Sequence, residues 1–297
     1  MPLLSALEGT ASTIYSNLFI TLPVPKHSLT GQFVIISGSN QGLGFEACRH
    51  VLTLGAERLI MAVRSIEKGE EARKKLLEDT GRSAETIEIW HLDMDQYSSV
   101  KEFAARASNL PRLDALIPNA GLATTEFSLS EENERTITVN VVSTFLLILL
   151  LVPKLRESAR KFGITPRVTI PNSALHYIVP MRELDPHSST TIFSRLNDKS
   201  TANMAMRYPM SKLLVIFAVR SFAEHLEKTS AGQIIINTPN PSYCKSQLMR
   251  ENEGMATRVG ERLLARTTEM GSRAIVHGLL AGKSSNGQYL TNCQVHK

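Results

Sequence analysis

The residues with the clearest chemical potential are three glycines after an apolar run, in the stretch Gln32 to Gly44, QFVIISGSNQGLG. Phe33 to Ile36 reads as a buried parallel strand, and Gly38, Gly42 and Gly44 follow it. Loss of the β-carbon at those points allows a tight turn, close approach of backbone N–H groups to a phosphate, and close packing of the next helix. The guest expected at the helix N-terminus is a pyrophosphate, although three glycines after a strand also occur in ordinary turns. A second candidate pair is Tyr208 and Lys212, four residues apart and therefore on one face of a helix. A third signal is Arg64, which closes the second apolar strand, Arg58 to Val63, with Lys68 one helical turn on. An acid there would bind a ribose 2′-hydroxyl and repel a 2′-phosphate, whereas Arg64 favours NADP(H) through a charge-assisted contact. The plainer reading of Arg64 is a surface arginine at a strand end.

The elements that must hold these residues alternate. Helix Phe45 to Leu54 stops at Gly55, strand Arg58 to Val63 follows, and a charged helix runs from Glu67 to about Glu78. Strand Thr86 to Leu92 ends at Asp93, which either accepts a hydrogen bond from an adenine amino group or caps the next helix, Ser98 to Ala107. Strand Leu113 to Ile117 leads to Asn119-Ala120-Gly121. This rhythm predicts a doubly wound parallel sheet flanked by helices, in one α/β domain over 31–297, with ligands at the strands' carboxyl ends. Residues 1–30 read as an extended surface arm.

Glu131 to Leu155 reads as one long helix, with Asn140 a poor helix former in its middle and Pro153 near its end or bending it. Strand Arg167 to Ile170 is interrupted by Pro171 and continues through Asn172-Ser173 to His176. Tyr177 to Ala205 is an irregular substrate-side loop with a short helix over Leu196 to Ala205. Helix Leu213 to Leu226 follows, with Pro209 tolerated if it lies in a first turn. Gln233 to Asn237 is a sixth strand with a turn at Asn240 to Cys244. The tail is a helix over Thr268 to Leu280, a polar turn at Lys283 to Gly287 and a short strand at Gln288 to Leu290.

Composition narrows the class. The chain has 297 residues, 42% hydrophobic and 21% charged, enough for a large core. The net charge of +5 comes from bases interleaved with acids, as in EKGEEARKKLLED, a solvated helix face and not a nucleic-acid surface. The longest apolar run, Phe145 to Val152, is too short to span a bilayer and suits a buried or subunit-facing helix. Three scattered cysteines, with no signal segment in Met1 to Ile20, point to a reducing, cytoplasmic compartment. No His, Cys and acid cluster has metal-ligand spacing.

Taken in order, the motifs resemble the short-chain dehydrogenase/reductase family. They are Ser37-Gly38-x-x-x-Gly42-x-Gly44, Asn119-Ala120-Gly121, Asn140, Ser173 and Tyr208-x-x-x-Lys212. The strings SGSNQGLG, MAVRS, NPSYCKSQL and GQYLTNC look like its fungal retinol-dehydrogenase-like branch, whose members often serve secondary metabolism. The resemblance implies a Rossmann-type fold and an NADP(H)-dependent interconversion of a ketone and a secondary alcohol. Tyr208 would be the acid or base, Lys212 would lower its pKa and hold the nicotinamide ribose, and Ser173 would bind the substrate oxygen. Asn140 would hold a water of a proton relay. Gly38, Asn40, Gly42, Leu43, Gly44, Arg64, Asp93 and Asn119 would line the cofactor. Read singly, Ser173 is also an ordinary strand-end hydroxyl and Asn140 a buried helix contact.

Three positions depart from the family pattern: Pro171 and Asn172 just before Ser173, and Ser242 where glycine is usual after Asn-Pro. They motivate a rival reading as a cofactor-binding regulatory protein, and dehydratase or epimerase chemistry is another. His176 is a packing or substrate-loop residue. Walls at Tyr177 to Ala205 and about Cys244 to Thr268 suggest a bulky small-molecule substrate of polyketide or terpenoid type. The apolar helix around Asn140 suits a homodimer or homotetramer.

Overall fold

The computed structural model describes residues 11, 13–180, 184, 190–228, 233–245 and 264–296. The elements in chain order are β1 (Phe33–Ser37), α1 (Gly42–Thr53), β2 (Arg58–Val63), α2 (Ile66–Thr80), β3 (Ile87–His91), α3 (Tyr97–Ser108) and β4 (Ala115–Ile117). A two-strand hairpin, β5 (Leu129–Ser130) and β6 (Asn133–Glu134), precedes the long helix α4 (Arg135–Phe162). Then come β7 (Arg167–Thr169), α5 (Ile192–Leu196), α6 (Met204–Glu227), β8 (Ile235–Asn240), α7 (Thr268–Leu280), β9 (Tyr289–Thr291) and β10 (Gln294–Val295). The main sheet runs β3-β2-β1-β4-β7-β8-β9-β10, parallel except for the last pair. Its order reverses between β1 and β4, so their carboxyl ends diverge into a crevice.

Both faces of the sheet are covered, as the unbroken apolar runs require. Along β1, Phe33 and Ile35 join a core with Phe103, Leu147, Leu151, Val215 and Val219. Val34 and Ile36 join the opposite core with Ala47, Val51, Leu76, Ile275 and Leu279. The period of two along the strand thus divides α3, α4 and α6 from α1, α2 and α7. By length and hydropathy α4 passes as a membrane crosser, but it is mostly buried against this sheet.

Several expected elements differ. Residues 13–19 form a helix, not an extended arm; Asn17 bonds distant carbonyls and Ser16 accepts from the distant Asn292 side chain, a tertiary gain that overrides the poor propensity of Thr13 and Ile14. The helix expected from Glu131 begins only at Arg135. Glu131 turns the hairpin at φ 54°, and Glu134 is the true N-cap, its carboxylate accepting from the amides of Thr136 and Ile137. The same helix continues past Leu155 to a left-handed Gly163 cap, with Pro153 inside it on the exposed side, where water can meet the freed carbonyl. Asn140 falls in a π-helical turn, Thr138–Ser143.

Strand β7 stops at Thr169, and Ala174–Ile178 is a 3₁₀ turn, not a continuation, because Pro171 has no N–H to pair. In the expected loop the short helix is Ile192–Leu196, tied to the hairpin through Asn197; the rest of Leu196 to Ala205 is a turn leading into α6. Residues 181–183 and 185–189 of that loop, and 246–263 of the second expected wall, lie outside the described residues. Helix α6 begins a full turn before Tyr208, so Pro209 is its sixth residue and removes one rung of the ladder. A last strand, β10, follows a turn at Asn292 and Cys293, both at positive φ, that the sequence reading did not anticipate.

What holds the early part of α6 is a buried ion pair. Arg207 Nε lies 3.4 Å from Glu134 Oε2, with the two side chains 3% and 0% exposed. This joins the first turns of α4 and α6 where Pro209 has weakened the latter. Removing one partner of such a pair leaves an uncompensated charge. Arg207→Met should therefore lower unfolding free energy by about 3 kcal/mol, read as a fall in the urea midpoint.

Candidate active site

At the crevice, the glycine turn is built by close backbone approach. Gly38 has φ 62°, and a β-carbon there would lie 2.8 Å from Ala120 Cα. At Gly44 a β-carbon would press on the Gly38 carbonyl and lie 2.5 Å from Asn119 Nδ2. Gly42, at φ 60°, begins α1 with open space beside it. Asn119 Nδ2 donates to the carbonyls of Ser37 (3.0 Å) and Gly38 (3.1 Å), and the Ala120 amide donates to Ser37 Oγ (2.9 Å). The N-cap residue of α1, Gln41, makes no side-chain cap bond, so no protein carboxylate or hydroxyl takes the first amides through that cap. A glycine cradle facing a helix start of this kind fits a dinucleotide pyrophosphate. Asn40 and Leu43 lie in the same turn, partly exposed.

Arg64 sits at the carboxyl end of β2 with its side chain 66% exposed, 3.9 Å from Asp95. Asp95 is itself held by a bidentate bond from Arg135. Ser65 caps α2 by accepting from the Lys68 amide. Asp93 does not cap α3: its carboxylate accepts from the Asp95 amide, while the first amide of α3 donates to Glu131.

The second cluster lies where β7 and α6 meet. Ser173 lies beside Tyr208, close enough for its hydroxyl to favour the tyrosine's charged form. Lys212 Nζ lies 5.5 Å from the centroid of the Tyr208 ring and donates to the Pro171 carbonyl at 2.9 Å. Burial pushes the Tyr208 phenol up, opposed by the neighbouring Ser173 hydroxyl, with nearby Cys244 adding to the rise. Burial pushes Lys212 down to about 8.

Two of the departures from the family pattern, Pro171 and Asn172, turn out to build the site. Pro171 supplies the acceptor for Lys212. Asn172 Nδ2 donates to the Lys212 carbonyl (3.2 Å) and Thr238 Oγ1 (3.0 Å), and its Oδ1 accepts from the Ser173 amide (2.7 Å). One buried amide therefore ties β8, α6 and Ser173 together. Ser242 stands at φ 67°, the left-handed region where glycine is easiest, and its hydroxyl donates to Asn17 Oδ1 at 2.6 Å.

Asn140 is 3% exposed, and its amide exchanges bonds with the Leu122 backbone and donates to Ser211 Oγ, which donates to the Tyr208 carbonyl. It couples to α6 through Ser211, a link the sequence reading missed although Ser211 lies on the Tyr208 face. His176 is packed against Tyr177 and Tyr289, with Nδ1 2.7 Å from the Ser173 carbonyl. Among the described residues no group of three His, Cys, Asp or Glu is placed to hold a metal ion.

Known proteins share this architecture. The family model described as short chain dehydrogenase matches residues 32–164. A short chain dehydrogenase/reductase of Cryptosporiopsis sp. is 42% identical over 95% of this chain and 87% of its own. A short chain dehydrogenase of Emericella nidulans is 39% identical over 94% and 90%. Among solved structures, NADPH-bound carbonyl reductase from chicken fatty liver superposes with a TM-score of 0.66 at 18% identity, over 90% of this chain and 99% of that one. That likeness shows the fold, and the sequence relatives show the lineage. The chain belongs to the short-chain dehydrogenase/reductase family of oxidoreductases.

Proposed function

We propose that this protein reduces a ketone to a secondary alcohol, or runs the reverse reaction, with NADP(H). The observation that carries the reading is Ser173 beside Tyr208 with the Lys212 ammonium over the tyrosine ring, at the same carboxyl edge of the sheet as the glycine turn. When bound, NADPH supplies the hydride. Gly38, Asn40, Gly42, Leu43 and Gly44 would hold its pyrophosphate, Asn119 the turn itself, Asp93 the adenine side, and Arg64 a 2′-phosphate. Tyr208 and Lys212 would hold the nicotinamide ribose.

Tyr208, kept protonated by burial, suits the acid of a reduction. Its proton passes from Oη to the substrate oxygen as that oxygen gains negative charge. Ser173 Oγ orients the same oxygen by hydrogen bonding. The phenolate left behind faces the Lys212 charge, which favours it over a phenolate in apolar surroundings. Asn140 and Ser211 hold the tyrosine's own backbone, so their contribution is to position. A bulky polyketide- or terpenoid-type substrate of fungal secondary metabolism is consistent with fungal relatives such as those of Cryptosporiopsis and Penicillium roqueforti.

Tyr208→Phe should bind NADPH as wild type does yet lose at least roughly a hundredfold in turnover of any ketone the wild type reduces; nicotinamide fluorescence and absorbance read the two separately. Retained turnover would remove Tyr208 from the chemistry. Arg64→Leu should weaken NADPH binding by about tenfold with NADH little changed, since only the former offers a 2′-phosphate. Equal loss for both would remove the discrimination from Arg64.

Lys212 also sets a pH dependence. Its proton is held more weakly in the fold, at about 8, than at its ordinary value of 10.5. Between these values the unfolded chain binds more protons, so this group makes stability rise with pH there and contributes no slope below. The stability of wild type relative to Lys212→Met should rise from pH 8 to 10.5, by up to roughly 1 kcal/mol per pH unit, in urea titrations at several pH values.

A further inference from the structure

The helix over residues 13–19 presents its polar residues inward and its apolar ones outward. Ser16 is 4% exposed, whereas Tyr15 and Phe19 are 60% and 72% exposed. The inward residues all bind the chain that follows β8. Asn17 Nδ2 donates to the Tyr243 and Leu264 carbonyls, each at 2.7 Å, and Asn17 Oδ1 accepts from Ser242 Oγ. Both amide hydrogens and the oxygen are used, and only this orientation of the amide meets two carbonyls with donors.

Tyr243 and Leu264 belong to two legs that run side by side. The Arg266 amide donates to the Tyr243 carbonyl and the Lys245 amide to the Arg266 carbonyl, each at 2.9 Å, around a parallel bridge between Cys244 and Arg266. The Arg266 guanidinium, on a residue 6% exposed, reaches back to the carbonyls of Ser16 and Ile20 and to Asn292. Asn292 in turn donates to Ser16 Oγ at 2.9 Å. One short helix is thus bonded to both legs and to the β9–β10 turn.

The legs lie beside the site. Ser242, at its positive φ, is two residues past the end of β8, whose neighbour β7 leads to Ser173. Cys244 is close enough to Tyr208 to influence its ionisation. At Gly271 of α7, an added β-carbon would touch Cys244 Sγ, Leu43 Cδ2 and Pro241 Cβ together, so the turn after β8 and Leu43 of the glycine turn converge on Gly271.

We propose that Asn17 is a positioning residue for the reduction: by bonding both legs at once it holds the Pro241 to Cys244 turn in place next to β8 and around Gly271, where Leu43 also packs. The inference rests on the ketone-reductase reading, and its test separates the two. Asn17→Ala and Ser242→Gly are compared with wild type in the full chain loaded with NADPH, with 9,10-phenanthrenequinone as the probe ketone. Circular dichroism and NADPH titration establish that each variant is folded and loaded.

In Asn17→Ala the Lys245 and Arg266 amides should exchange with deuterium at least tenfold faster than in wild type, with β8 amides unchanged. Single-turnover hydride transfer should fall about tenfold while the NADPH Kd stays within twofold. Ser242→Gly should stay within twofold of wild type in both, because glycine keeps the turn's φ and Asn17 still binds the two carbonyls. Unchanged exchange in Asn17→Ala would overturn the brace. Faster exchange with hydride transfer within twofold, or an equal loss of NADPH affinity, would overturn its coupling to the reduction. If wild type reduces no ketone, the reductase reading fails, and the exchange result still decides the brace.

Discussion

The site depends on how closely two strand ends can approach. Asn119, just past β4, bonds the last carbonyl of β1 and the one after it, and the bonds form only because Gly38 and Gly44 have no side chain in the space between. Any β-carbon at Gly44 would displace the amide that holds the turn. The crevice between β1 and β4 therefore has a rigid floor made of backbone, and a helix start aimed across it. Everything with charge or reactivity is mounted around that floor.

The reactive side of the crevice is organised by buried polar side chains that make no chemistry of their own. Asn172 links Ser173, Lys212 and Thr238, so the serine and the lysine-bearing helix share one reference point. Asn140 links the Asn119-Ala120-Gly121 segment, through Leu122 and Ser211, to the Tyr208 backbone. The π-helical turn around Asn140 accommodates a residue that regular helix would resist. With Pro209 interrupting α6 between Tyr208 and Lys212, local hydrogen bonding alone would hold the pair loosely. The Glu134–Arg207 pair and the two asparagines supply what the helix lacks.

Much of the frame is legible in the residues, because local patterns dictate it. The apolar runs Phe33 to Ile36 and Arg58 to Val63 and the helix Thr268 to Leu280 are strands and a helix as their periodicity and caps demand. The site's outline is legible for the same reason, since glycine, and tyrosine with lysine at helical spacing, have few structural uses that require that order. Less legible are features set by distant partners. Asn172 looks like a defect in a strand until Thr238 and Lys212 are beside it. Glu131 looks like a helix residue, and its left-handed turn follows from the hairpin and from capping α3. Helix 13–19 has no pattern of its own, because its inward face is polar and its partners lie more than two hundred residues away.

That separation bears on how the molecule comes to be. Asn17 bonds residues 226 and 247 positions downstream, and Ser16 one 276 positions downstream. A helix this short has little stability alone, so it cannot form its contacts early. As the chain emerges from the ribosome, this segment is made well before Leu264, Arg266 and Asn292. The sheet assembles strand by strand through nearer pairings, whose loop closures cost less entropy. This early segment is thus seated only after partners made more than two hundred residues later are in place.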